Sequence, residues 1–180
     1  MLSICLLSGC SKKLNEQEQD SLTKYESYLN TLIEQERYSQ NSYYYTISAV
    51  LNKLPDGTTR YDIFIENPQV AMYNVEILAC VSGAKRTDET IYPSIGIFDE
   101  ESYTMIPYQS NPDENYIEAI ALSGITMEET PVLNVLVSWK NYQNVTTTRE
   151  FIKLFPTYPV EETDENDEKQ DIENKGESNE

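Results

Sequence analysis

Tyr43-Tyr44-Tyr45-Thr46-Ile47-Ser48-Ala49-Val50-Leu51-Asn52 is joined through Pro55-Asp56-Gly57 to Thr59-Arg60-Tyr61-Asp62-Ile63-Phe64-Ile65-Glu66. In an extended chain side chains alternate between two faces, so Tyr43, Tyr45, Ile47, Ala49 and Leu51 share one face of the first run. Tyr61, Ile63 and Ile65 repeat the pattern in the second. The connection offers a proline that presets φ and a glycine that accepts positive φ. The two runs therefore read as a β-hairpin.

Further strands are predicted over residues 72–81, 94–98, 103–108, 116–122, 132–140 and 145–154, separated by short turns rich in Pro, Asn, Asp and Gly. In the segment 132–140, Leu133, Val135, Val137 and Trp139 fall on one face, with Asn134, Ser138 and Lys140 on the other. That pattern predicts a strand with one wet side and places the sole tryptophan in the core. No second helix lies between the strands, so the crossovers of a doubly wound sheet are missing. The fold class expected is mainly β, an antiparallel β-sandwich preceded by one amphipathic α-helix. In strand number and spacing, residues 43–155 resemble immunoglobulin-like and fibronectin type III domains. The resemblance is one of architecture, because the Cys-Trp-Cys spacing of true immunoglobulin domains is absent.

Residues 15–38 read as the helix, within a segment extending to residue 40. Asn15 and Glu18 have capping-box spacing, and Leu22, Tyr25, Leu29 and Leu32 recur at intervals of three and four. Tyr28 and Ile33 widen this stripe. It can pack on the sandwich or form the seam of a short coiled coil, and the small number of heptads favours packing.

A chain of 180 residues supports one domain with a proper core, here residues 43–158. The formal net charge is −18 and no basic patch stands out, so the phosphate neutralisation behind nucleic-acid binding is missing. The chain has no histidine, which removes the usual general base near neutral pH and the commonest metal ligand. No cofactor is implied. Residues 159–180 are acidic, and Ile172 is the only large apolar side chain after Val160, so this stretch is expected to form a solvated, extended tail and not a second anchor.

The opening Met1-Leu2-Ser3-Ile4-Cys5-Leu6-Leu7-Ser8-Gly9-Cys10 is a short apolar run ending in small residues and followed by Ser11-Lys12-Lys13. A helix needs about 20 apolar residues to cross a hydrocarbon core of about 30 Å, so this run is expected to be a leader and not a permanent span. Leu7-Ser8-Gly9-Cys10 resembles the lipobox of bacterial lipoproteins at all four positions. The resemblance implies diacylglycerol on the Cys10 sulfur, and cleavage before Cys10 by a signal peptidase that recognises Leu7, Ser8 and Gly9. It divides the N-terminus into a signal peptide, 1–9, and a lipidated tether, 10–14. The family's basic segment before the apolar run is absent and the run is abbreviated, as a start codon placed too far downstream would leave it. The expected location is the outer, extracytoplasmic face of a cell membrane. Lys12 and Lys13 would attract anionic headgroups while the acidic body is repelled, so the domain should stand off the surface.

Of the three cysteines, Cys5 falls in the leader and Cys10 carries the lipid, leaving Cys80 as a core thiol with no disulfide partner. Asp164, Asn166 and Glu168 have the alternate spacing of an EF-hand loop, but Lys169 stands where glycine is required. Asp88-Glu89, Asp99-Glu100-Glu101, Asp113-Glu114 and Glu128-Glu129 are loop carboxylates that no spacing pairs for acid–base work. Asn144-Val145-Thr146 matches a glycosylation acceptor, which is uninformative behind a bacterial leader. Fourteen tyrosines are unusual. Alternation turns Tyr44 outward when Tyr43 and Tyr45 face the core, and with Tyr38 it forms a candidate interaction surface, set against simple core or edge packing. The expected function is a non-catalytic binding or adhesion module for an envelope protein or cell-wall polymer. A structural subunit of a secretion, transport or conjugation assembly, docking through the helix, is the second reading. A carboxylate-dependent hydrolase is the third.

Overall fold

The predicted hairpin forms in register: β1 (Thr46–Lys53) pairs antiparallel with β2 (Thr59–Glu66) from Thr46 opposite Glu66 to Lys53 opposite Thr59. Its turn is closed by Gly57, at φ 86°, donating its N–H to the Leu54 carbonyl. The Asp56 carboxylate accepts from the Thr58 hydroxyl and backbone N–H, and these bonds hold its pKa below the usual carboxylate value. The structure, a computed structural model, describes residues 15–87, 90–114 and 116–159. The leader with Leu7, Ser8, Gly9 and Cys10, the pair Asp88-Glu89 and the acidic stretch from Val160 lie outside the described residues.

The remaining strands are β3 (Met72–Val81), β4 (Ser94–Ile95), β5 (Tyr103–Met105), β6 (Ala119–Thr126), β7 (Leu133–Lys140) and β8 (Thr147–Leu154). A three-stranded sheet of order β1-β2-β6 faces a second sheet of order β4-β3-β7-β8, with β5 also paired to β3. All ladders are antiparallel. The chain changes sheet between β2 and β3, back between β5 and β6, and again between β6 and β7, while β2 pairs β6 and β3 pairs β7. This is a Greek-key, Ig-like sandwich. The inward faces meet in one core, where Leu51, Tyr61, Ile63, Val75, Ile77, Val135, Val137 and Trp139 are buried.

The helix α1 (Glu16–Glu34) carries the expected capping box: the Asn15 side chain accepts from the Glu18 N–H, and Glu18 accepts from the Asn15 N–H, both at 2.8 Å. It ends four residues before the predicted Tyr38, because Gln35 is extended and the Tyr38 hydroxyl instead donates to the Leu32 carbonyl at 2.6 Å. A side chain thus satisfies a carbonyl that the terminating helix leaves without an N–H partner. The apolar stripe lies on the outer face of the larger sheet, where Tyr25, Tyr28 and Leu32 pack with Leu78, Cys80 and Leu136. Each such side chain contributes about 1.5–3 kcal/mol when fully buried.

That third layer corrects the reading of β7. Asn134 and Ser138 were expected on a wet face, yet both are buried. The strand is covered on one side by the facing sheet and on the other by α1. β3 is enclosed in the same way, with Ile77 and Ala79 in the sandwich core and Leu78 and Cys80 under the helix.

Other boundaries moved for local reasons. Tyr43 is 92% exposed and outside β1, so the shared inward face begins at Tyr45; the Tyr44 N–H bonds to the Ser42 hydroxyl and not to a ladder partner. β4 is cut short by Gly96 at φ 74°, whose N–H donates to Asp99. β5 stops before Pro107, which lacks the donor a strand needs. β8 starts at Thr147 because the Asn141 side chain accepts from the N–H groups of Val145 and Thr146.

Burial raises the pKa of the Tyr61 hydroxyl and of the Cys80 thiol, each to about 12, from ordinary values of 10.0 and 9.0. Both are protonated in the folded chain while the unfolded chain ionises first, so their stabilising effect is complete below pH 9 and falls as pH rises toward 12. At about 1.4 kcal/mol per pH unit and group, these two groups alone should lower the unfolding free energy by roughly 4 kcal/mol between pH 8 and pH 11, and the buried Tyr45 hydroxyl acts in the same direction. Urea titrations at the two pH values measure this drop; an unchanged midpoint would contradict it.

Candidate binding surface

Strand register decides which loops meet. Thr46 opposes Glu66, Glu66 opposes Ala119, Met72 opposes Met105, Tyr73 opposes Lys140 and Lys140 opposes Thr147. The entry to β1 and the connections 67–71, 106–114 with 116–118, and 141–146 therefore all lie at one end of the sandwich. Phenols and carboxamides are prominent there: Tyr43, Tyr44, Tyr108 and Tyr142 stand among Asn67, Gln69, Gln109, Asn111, Gln143 and Asn144, with the carboxylates Asp113, Glu114 and Glu118 and the exposed Val70 and Val145 beside them. Tyr108 is fully exposed and Tyr142 is 78% exposed. The opposite end exposes Ile91, Ile125 and Met127, and the exposed tyrosines of the described residues are not there.

Among the described residues, the non-glycine positions with positive φ are Asn67 (53°), Asn74 (48°), Tyr108 (60°) and Asn144 (56°), all at the tyrosine-rich end. Elsewhere the left-handed conformation falls to Gly57, Gly83 and Gly96. Asparagine tolerates it, but a bulky aromatic residue there costs about 1–3 kcal/mol. Ile106-Pro107-Tyr108-Gln109 closes through the Gln109 N–H to the Ile106 carbonyl at 3.2 Å. Proline second and positive φ third make this a type II turn, and Tyr108 holds the position that glycine ordinarily takes.

The rest of the end is braced. The Asn74 amide donates to the Asn144 side-chain oxygen at 2.9 Å, tying the irregular start of β3 to the β7–β8 loop. The rings of Tyr73 and Tyr142 meet edge to face with centroids 5.7 Å apart. Tyr44 and Tyr45 both pack edgewise on Trp139, at 5.4 and 5.9 Å. The backbone N–H of Gln69 donates to the Tyr44 carbonyl at 2.7 Å, joining the β1 entry to the β2–β3 loop. Burial raises the pKa of the Tyr45 hydroxyl, and the nearby Glu150 carboxylate adds to the effect. Between the β2–β3 and β5–β6 loops a cleft of about 570 Å³ is lined by Asn67, Pro68, Gln69, Ile106, Tyr108, Gln109 and Glu118.

Of the two tyrosines nominated from sequence, Tyr44 lies at this end and Tyr38 does not. Tyr38 packs beside the end of α1 with the Lys153 ammonium 4.5 Å above its ring. The residues that sequence reasoning missed are Tyr108, Tyr142 and the amides around them. Pro107 signals a turn here, but nothing in the sequence shows that Tyr108 takes its positive-φ position.

Carboxylates gather at a different place. Glu76, Asp99, Glu100 and Glu101 line a cleft of about 240 Å³ with Lys24 and Lys140. Glu76 is bonded to Lys24 at 2.8 Å and accepts from the Tyr28 hydroxyl at 2.5 Å. Burial first, and then this bond, raises the Tyr28 pKa. Asp99 is engaged with the Gly96 N–H. Among the described residues no group of three or more His, Cys, Asp or Glu side chains is placed to hold a metal ion, and no helix is long and apolar enough to cross a membrane. No family model, curated protein or solved structure matches the chain.

Proposed function

We propose that the protein is a lipoprotein held on the extracytoplasmic face of a bacterial membrane through Cys10. Its Ig-like domain acts as a non-catalytic binding module for an envelope protein or cell-wall polymer. The anchor reading rests on the likeness of Leu7-Ser8-Gly9-Cys10 to a lipobox. The binding reading rests on one observation, the gathering of exposed tyrosines and carboxamides on braced loops at a single end of the sandwich. Tyrosine supplies a large contact area with little rotamer entropy to lose, and amides adapt their hydrogen bonds; both are the chemistry of paratope-like loops. Loops already fixed before contact lose less entropy on binding, which raises affinity.

Docking through α1, as a subunit of a larger assembly, would need an apolar stripe free on that helix. Tyr25, Tyr28 and Leu32 instead face the sheet, which favours the loop end as the binding surface. A photo-crosslinking residue placed at Tyr142 in intact cells should capture an envelope component, whereas the same residue at Met127 on the opposite end should not. Equal capture from both ends would contradict the proposal.

A further inference from the structure

We infer that the cleft between the β2–β3 and β5–β6 loops takes an uncharged oligosaccharide chain, stacked on Tyr108 and hydrogen-bonded by the amides of Asn67, Gln69 and Gln109. The inference rests on the reading of this end as a binding surface and names the ligand class for it.

A sugar ring presents a flat patch of C–H bonds surrounded by hydroxyl groups, each both donor and acceptor. Its complement is an aromatic face beside planar groups that also carry both functions, and a side-chain amide is such a group. The cleft brings these together: its lining joins Tyr108 to Asn67, Gln69 and Gln109, with Pro68 and Ile106 as apolar contact, and the Gln69 amide, whose nitrogen donates to the Asn67 carbonyl at 2.8 Å, keeps its oxygen as an acceptor. Its volume of about 570 Å³ lies in the range of small-molecule sites, about 300–1,000 Å³. No lysine or arginine lines it, and its one ionisable carboxylate is Glu118. An anionic polymer would meet repulsion there, in a chain whose net charge is already −18.

A peptide adding as a strand fits less well, because two backbone donors at the rim are already taken. The Gln109 N–H bonds to Ile106 and the Gln69 N–H to Tyr44. Tyr108 supplies the strongest argument. Its side chain is fully exposed and its backbone sits at φ 60°, where glycine would be relaxed. Folding gains nothing from a tyrosine at that point, whereas a stacking platform needs one.

The test is calorimetric titration of the full chain, purified in detergent, with an N-acetylglucosamine tetramer and with cellohexaose. Variants Tyr108→Gly, Gln109→Ala and Met127→Ala are compared with the wild type. Tyr108→Gly relieves the backbone, so its thermal stability should equal or exceed the wild type's while oligosaccharide affinity falls at least tenfold. Gln109→Ala should weaken binding severalfold, and Met127→Ala, at the opposite end of the sandwich, by less than twofold. Failure of both oligosaccharides to bind at millimolar concentration, or binding unaltered in Tyr108→Gly, overturns the inference. If that happens while a crosslinker at Tyr142 still captures an envelope protein, the glycan class alone falls. If the crosslinker also captures nothing, the loop-end reading falls with it.

Discussion

Replacing Trp139 with alanine should lower the unfolding free energy by about 3–5 kcal/mol, the usual cost of removing a buried large aromatic side chain. Trp139 closes the sandwich core at the tyrosine-rich end, and both Tyr44 and Tyr45 rest against its ring. The cavity would remove the support under the β1 entry as well as apolar contacts. Domains have only about 5–15 kcal/mol of stability, so a loss this large is a substantial part of the whole. Circular dichroism during urea titration is the measurement, since the variant no longer contains the chain's sole tryptophan. Trp139→Phe should recover much of the loss by keeping an aromatic edge for the two tyrosines. Equal stability of Trp139→Ala and wild type would show that the ring is not the core anchor described here.

The second large effect is expected at the proposed anchor, outside the described residues. On the proposed anchor, Cys10→Ala removes the sulfur that accepts diacylglycerol, and with it every acyl chain. Each buried CH₂ contributes about 0.8 kcal/mol; one chain holds a protein only marginally, while two or three hold it firmly. The change is therefore close to all-or-none. The complete gene with its upstream region, expressed in a bacterial host fed a clickable fatty acid, should give a labelled wild type that partitions into a detergent phase. Cys10→Ala should be unlabelled and remain in the aqueous phase. Wild type without label would remove the anchor from the account.

Much of the architecture could be read from local pattern. The hairpin of β1 and β2 was legible because period-two alternation and an Asp-Gly turn agree, and the α1 start because Asn15 and Glu18 satisfy each other's N–H groups. The buried second face of β7 was not legible: Asn134 and Ser138 look like solvent residues, and only the placement of α1 across the sheet covers them. Tyr38 read as the end of the helix, yet its hydroxyl caps the helix from outside.

The candidate site was the least legible part. Its loops are separated by whole strands, and only the order β1-β2-β6 against β4-β3-β7-β8 brings their ends together. Tyr44 could be nominated from alternation, because it neighbours a strand. Tyr108 could not, since its significance lies in exposure and a positive φ that no side-chain pattern records. The cluster of Glu76 with Asp99, Glu100 and Glu101 was equally hidden. It joins a strand residue to a loop that is near only in three dimensions.

The central claim is that the tyrosine-rich end makes the contact with the envelope. The direct measurement is equilibrium binding of the soluble Cys10→Ala protein to isolated envelopes of the organism that makes it, with and without the triple change Tyr43→Ala, Tyr108→Ala and Tyr142→Ala. These side chains are exposed, so the fold should persist, and loss of about 2 kcal/mol or more at a central aromatic contact predicts at least a thirtyfold weaker interaction. Undiminished binding by the triple variant, together with loss on changing Ile125 and Met127 at the other end, would contradict the account.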